Sequence, residues 1–64
     1  MKENNYFYVI KEKRLQIGWS QECVAQKAGI SKSTYIRIEN GENVEIYNIL
    51  CVLNVLGLNM IISD

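Results

Sequence analysis

Histidine and proline are absent from this 64-residue chain, and cysteine occurs only twice. Without histidine there is no Ser-His or Cys-His nucleophile pair, and no side chain that ordinarily titrates near neutral pH. The seven carboxylates are scattered, mostly beside basic residues on faces that read as solvated, so an enzyme is not expected. Two cysteines cannot build a four-ligand zinc site, and no metal or other cofactor is expected. Cys23 and Cys51 lie far apart in a chain that shows no secretory leader, because Lys2-Glu3-Asn4-Asn5 precedes only the short apolar run Tyr6–Ile10. They read as small core residues of a reduced, cytoplasmic protein. Long hydrophobic runs are missing too. Ile46 to Ile62 carries no charge, but it reaches only the lower edge of spanning length and contains Asn48, Asn54 and Asn59. Its flanks are Glu45 and Asp64 rather than Lys or Arg, so a buried helix followed by a strand explains it better than a membrane span.

What remains is one small domain over residues 1–64. A chain of this length buries only about 60% of its unfolded surface, which makes a lone core marginal. With disulfides and metal set aside, oligomerisation is the expected support. The formal net charge is zero, yet the charges are divided: residues 1–37 hold all seven basic residues against Glu3, Glu12 and Glu22. Residues 38–64 hold Glu39, Glu42, Glu45 and Asp64 and nothing basic. A basic working half and an acidic, apolar supporting half follow, with nucleic acid the natural partner of the first. A neutral total predicts weak non-specific affinity for it.

No repeat or linker interrupts the chain, and Gly18, Gly29, Gly41 and Gly57 supply its punctuation. Apolar spacing before each glycine is helical. The first segment, about Tyr6 to Ile17, puts Phe7, Ile10, Arg14 and Ile17 on one stripe, although Tyr6–Ile10 alone also has strand composition. Ser20 offers an N-cap for a helix over Gln21 to Ala28, with Trp19 and Val24 as a hydrophobic staple. Ser31 caps a third helix, about Lys32 to Asn40, and Ile30 and Tyr35 repeat the staple. Asn43 is a plausible cap for a fourth helix, about Val44 to Leu56, with a core stripe of Ile46, Ile49, Leu50, Leu53 and Leu56. Tyr47, Cys51, Val52 and Val55 make that helix apolar nearly all round, so it needs cover on both sides. Leu58 to Ser63 reads as a short strand.

Arg14 falls inside the apolar stripe of the first helix, where an unpaired charge would be costly. Glu39, beside Ile38, is its candidate partner in an ion pair. On the third helix Tyr35 and Ile38 turn inward, which leaves Lys32, Ser33, Ile36, Arg37 and Asn40 on an outward stripe. Two long basic side chains, a hydroxyl and an amide along one edge suit the major groove, which presents acceptors on guanine and a donor–acceptor pair on adenine.

Two short helices joined through Gly29-Ile30-Ser31 describe a helix-turn-helix over about residues 20–40. The stretch RLQIGWSQECVAQKAGISKSTYIRIENG, Arg14 to Gly41, closely resembles the helix-turn-helix of phage Cro and repressor proteins and the XRE-like bacterial regulators grouped with them. The likeness lies in the Ser-Gln opening of the second helix, Val24-Ala25, Gly29, Ser31-x-Ser-Thr and the closing Ile-Glu-Asn-Gly, all in register. The tail LNVLGLNMIISD is weakly similar to that of HipB-type antitoxins.

The resemblance implies an all-α, four-helix phage-repressor-like domain, here with a short C-terminal β-strand, acting as a sequence-specific repressor of its own or a neighbouring operon. It implies base-edge contacts from Lys32, Ser33 and Arg37, and phosphate contacts from Gln21 and Asn40. It also pairs the positions of Arg14 and Glu39. Ile36 fits two roles equally, a thymine methyl contact or packing. Where many relatives carry basic residues after the glycine, this chain has Glu42-Asn43-Val44-Glu45, so modest affinity per monomer is expected.

A single strand leaves its backbone groups unpaired. A two-fold homodimer resolves this, with the strand pairing antiparallel to its own copy and helix four turning Tyr47, Cys51 and Val55 to the same interface. Residues 44–63 then form the dimerisation region, with Leu58, Met60, Ile61 and Ile62 at the contact, and the operator is a near-palindrome in double-stranded DNA. Two alternatives remain. One is an antitoxin that holds a toxin protein and autoregulates its operon, marked by a toxin gene immediately downstream. The other is an interaction module that has lost DNA binding, against which Gln21, Arg37 and Asn40 speak.

Overall fold

Each of the two central helices begins where a serine oxygen satisfies an otherwise unpaired backbone N–H. Ser20 accepts from the Cys23 N–H and opens α2 (Gln21–Ala28), and Ser31 accepts from the Thr34 N–H and opens α3 (Lys32–Glu39). The computed structural model describes residues 6–58, and these form two further helices, α1 (Tyr6–Ile17) and α4 (Ile46–Val55). Tyr6–Ile10 is therefore the first part of α1. The described residues contain no strand. The strand expected over residues 58–63 lies, apart from Leu58, outside the described residues.

Gly29 ends α2 at φ +76°, and the Ile30 N–H returns to the Ala25 carbonyl at 3.0 Å. That left-handed reversal costs a glycine little, and it turns the chain into α3 within three residues. Gly41 makes the same kind of reversal after α3, at φ +75°, beneath the Phe7 ring; a Cβ there would stand 3.3 Å from Phe7 Cε2. α2 packs on α3 and on α4, while α1 packs on α3. The core between them consists of Ile10, Val24, Ala25, Tyr35, Ile38, Ile49, Val52, Leu53 and Leu56. Ala25 is buried on α2, with no bulk to hold the helices apart.

Helix α4 is shorter than its apolar pattern suggests. Its N-cap is Glu45, not Asn43, and no side chain caps it. Its buried line is Ile49, Val52, Leu53 and Leu56, while Ile46 and Leu50 of the expected core stripe are 57% and 44% exposed. Ile17 likewise ends α1 exposed rather than in the core. None of the helices among the described residues is long and apolar enough to cross a membrane.

Candidate nucleic-acid interface

The site starts from a carboxylate buried at the junction of three helices. Glu39, near the end of α3, accepts from Arg14 Nε of α1 at 2.6 Å and from Arg14 Nη2 at 3.3 Å. Gln21 Nε2, at the start of α2, donates to Oε1 at 3.0 Å, and the Tyr35 hydroxyl donates to Oε2. Arg14 spends its remaining nitrogen on the Trp19 carbonyl, 2.9 Å from Nη1. The Arg14 and Glu39 side chains are only 10% and 4% exposed, so the expected pair sits inside the protein with its hydrogen-bonding capacity well used. Arg14 and Glu39 are thus brought together. The roles of Gln21 and Tyr35 in this cluster were not read from the sequence. The Tyr35/Glu39 spacing of four residues on one helix was the available signal.

Burial alone would push the Glu39 carboxyl up, but the hydrogen bonds from Arg14, Tyr35 and Gln21 outweigh it and hold the group below its ordinary 4.5. Burial and the hydrogen bond to Glu39 push the Tyr35 phenol above its ordinary 10.0. The hydrogen bond to Glu39 raises Arg14 against the opposing effect of burial. The depressed carboxyl contributes stability that is present above pH 4.5 and lost as pH falls through its lowered value. The raised phenol contributes stability that is present below pH 10.0 and lost as pH rises through its raised value. Urea midpoints measured against pH should therefore fall on both flanks. In Tyr35→Phe the alkaline loss due to this phenol should disappear.

The outward stripe of α3 runs away from this cluster. Lys32, Ser33, Arg37 and Asn40 are exposed and Ile36 is half-buried. Lys32 makes no hydrogen bond or ion pair with the described residues. Ser33 lies 3.2 Å from the Ser31 hydroxyl, which also donates to Thr34 Oγ1 at 2.9 Å. Arg37 leans toward the loop after α3, where Nε lies 3.5 Å from Glu42 Oε1 and Nη2 donates to the Asn43 carbonyl at 3.2 Å. Asn40 closes the helix as its C-cap, with its backbone N–H on Ile36. Gln21, half-buried, stands at the first position of α2, and its amide nitrogen has a second hydrogen beyond the one given to Glu39. The Lys27 ammonium stands over the Trp19 ring, 4.9 Å from its centroid, so its charge is already engaged in a cation–π contact.

The predicted interface residues do not share one setting. Tyr47 is 69% exposed and continues onto Ile46 and Leu50 as an apolar face of α4. Cys51 is half-buried and a free thiol. Val55 and Leu58 pack against the chain's own core, and the Leu58 N–H closes α4 on the Leu53 carbonyl at 2.8 Å. Met60, Ile61 and Ile62 lie outside the described residues. No cluster of metal-ligating side chains occurs among the described residues.

Two capped helices set at a glycine turn, the second offering a polar and basic edge to solvent, define a helix-turn-helix module for duplex DNA. The chain belongs to the helix-turn-helix family, of the XRE type, whose model matches residues 10–60, and it is a DNA-binding regulator. Among solved structures it is similar to an "MDT Protein" and to a chain of the HipA–HipB–O2–O3 complex. Each shares 29% identity at a TM-score of 0.84, over 100% of this chain and 96% of the other. The second agrees with the HipB-like character of the tail. No curated protein sequence matches.

Proposed function

We propose that the chain acts as a homodimeric repressor, seating α3 in the major groove and occupying a near-palindromic operator of its own or a neighbouring operon. The observation that carries this reading is the exposed α3 edge of Lys32, Ser33 and Arg37, set against a rigid buried junction. Lys32 and Arg37 supply donors for guanine O6 and N7, and Ser33 a smaller polar contact. Gln21 and Asn40 flank that edge and take phosphates, Gln21 with help from the positive end of α2. The apolar α4 face of Ile46, Tyr47 and Leu50, with the segment after Leu58, supplies the two-fold contact. It spaces the two recognition helices about 34–36 Å apart.

Binding selection on random duplexes tests the assignment. Arg37→Ala should relax preference at one base position and cost about 1–3 kcal/mol on the wild-type site. Gln21→Ala should weaken all sequences about equally, after its own loss of stability is measured. An unchanged selected sequence for Arg37→Ala, with an altered one for Gln21→Ala, overturns it.

A second reading, an antitoxin that also holds a toxin protein, is favoured by the full-length likeness to a chain of the HipA–HipB complex. A gene for a kinase-like toxin immediately downstream, whose product co-purifies with this chain, supports it. An isolated gene counts against it.

A further inference from the structure

Of the two cations on the α3 edge, Lys32 has no partner among the described residues, whereas Arg37 has two. The backbone brings them there. Gly41 reverses the chain at φ +75°, and the Glu42 N–H closes the helix on the carbonyl of Arg37 itself at 2.9 Å. The Glu42 carboxylate is thereby delivered beside the guanidinium, and the next carbonyl, that of Asn43, takes Nη2. Nε and Nη2 form one edge of the guanidinium fork, so that edge is turned to the loop. Both side chains are about half exposed, 54% and 53%, and the pair is 3.5 Å apart, which makes this a weak and reversible tether.

We propose that Glu42 is an intramolecular competitor of DNA for Arg37. Its carboxylate occupies, in the free protein, the guanidinium that the operator must recruit. Affinity is then set by an exchange of the Glu42 carboxylate for the acceptors of a base edge, not by Arg37 alone. This inference rests on the base-reading role proposed for Arg37.

The test is a double-mutant cycle on the full chain. Binding is measured by fluorescence anisotropy to a labelled duplex selected by the wild-type protein and to a random duplex of equal length. Glu42→Gln should tighten binding about two- to fivefold, the range that an exposed pair of this kind supports. In the Arg37→Ala background the gain should shrink to that of Glu45→Gln, a control for simple removal of negative charge near phosphate. The thermal midpoint of Glu42→Gln should fall by no more than a few degrees, the loss expected when one exposed pair is removed. An equal gain in both backgrounds, or weaker binding by Glu42→Gln, overturns the competitor role while leaving the base-reading role intact. Arg37→Ala with undiminished affinity and an unchanged selected sequence overturns the base-reading role, and the competitor role with it.

Discussion

Glu39→Gln should remove most of the stability of this domain. Breaking one side of a buried, hydrogen-bonded ion pair typically costs about 3–5 kcal/mol, because the surviving charge stays buried without its partner. A chain of this length holds only about 3–10 kcal/mol in total. Arg14 would be the stranded charge, left with the Trp19 carbonyl and at best one neutral amide oxygen in place of the carboxylate. Arg14→Met should be similarly damaging, since Glu39 would keep Tyr35 and Gln21 but lose its only cation among the described residues. The two effects should be far from additive: once one charge is gone, removing the other costs little or restores stability. Urea unfolding of the two single variants and the double variant measures the coupling. Additive losses would show that the two groups are energetically independent despite their contact.

Leu50→Glu should convert the proposed homodimer to a monomer without unfolding it, because Leu50 is 44% exposed and lies outside the buried line of α4. Tyr47 and Ile46 beside it are exposed on the same apolar face of α4, and a charge in the middle of the proposed self-complementary contact would appear twice. Loss of the second half-site removes the gain from simultaneous engagement, on the order of 10²–10⁴ in affinity for a palindromic duplex. Sedimentation equilibrium and anisotropy on the same samples check both parts. A companion variant ending at Leu58 isolates the tail while keeping the residue whose N–H closes α4. A Leu50→Glu protein that remains dimeric and binds normally would move the interface off α4.

The limits of α2 and α3 were legible because Ser20 and Ser31 are discrete chemical signals. A hydroxyl at an N-cap satisfies one particular backbone N–H, and no packing partner is needed to recognise it. The case of α4 was different. With apolar residues nearly all round, its periodicity names no buried face, so Ile46 and Leu50 were expected inside while Val52, which is fully buried, was left out of the stripe. Which side turns in is decided by the elements α4 meets, above all α2. The same division holds at the site. Arg14 was legible as a charge on an apolar stripe, and its acidic partner could be sought among few candidates. The convergence of Gln21 on Glu39 depends on how α2 crosses α3, which leaves no period along the chain. Glu42 was visible as an acid in an unusual place, but its seat beside Arg37 is made by the reversal at Gly41.

Trp19 joins several of these features. It is the one tryptophan in the chain. Its carbonyl holds Arg14, its half-buried ring packs against the core, and Lys27 stands over that ring at 4.9 Å. An indole's emission responds to nearby charge and to water at its face. The protein therefore carries a built-in optical gauge, fixed at the joint between α1 and α2. It reports on the buried ion pair through the peptide that Arg14 grips and on the solvent side through Lys27, with no dye attached.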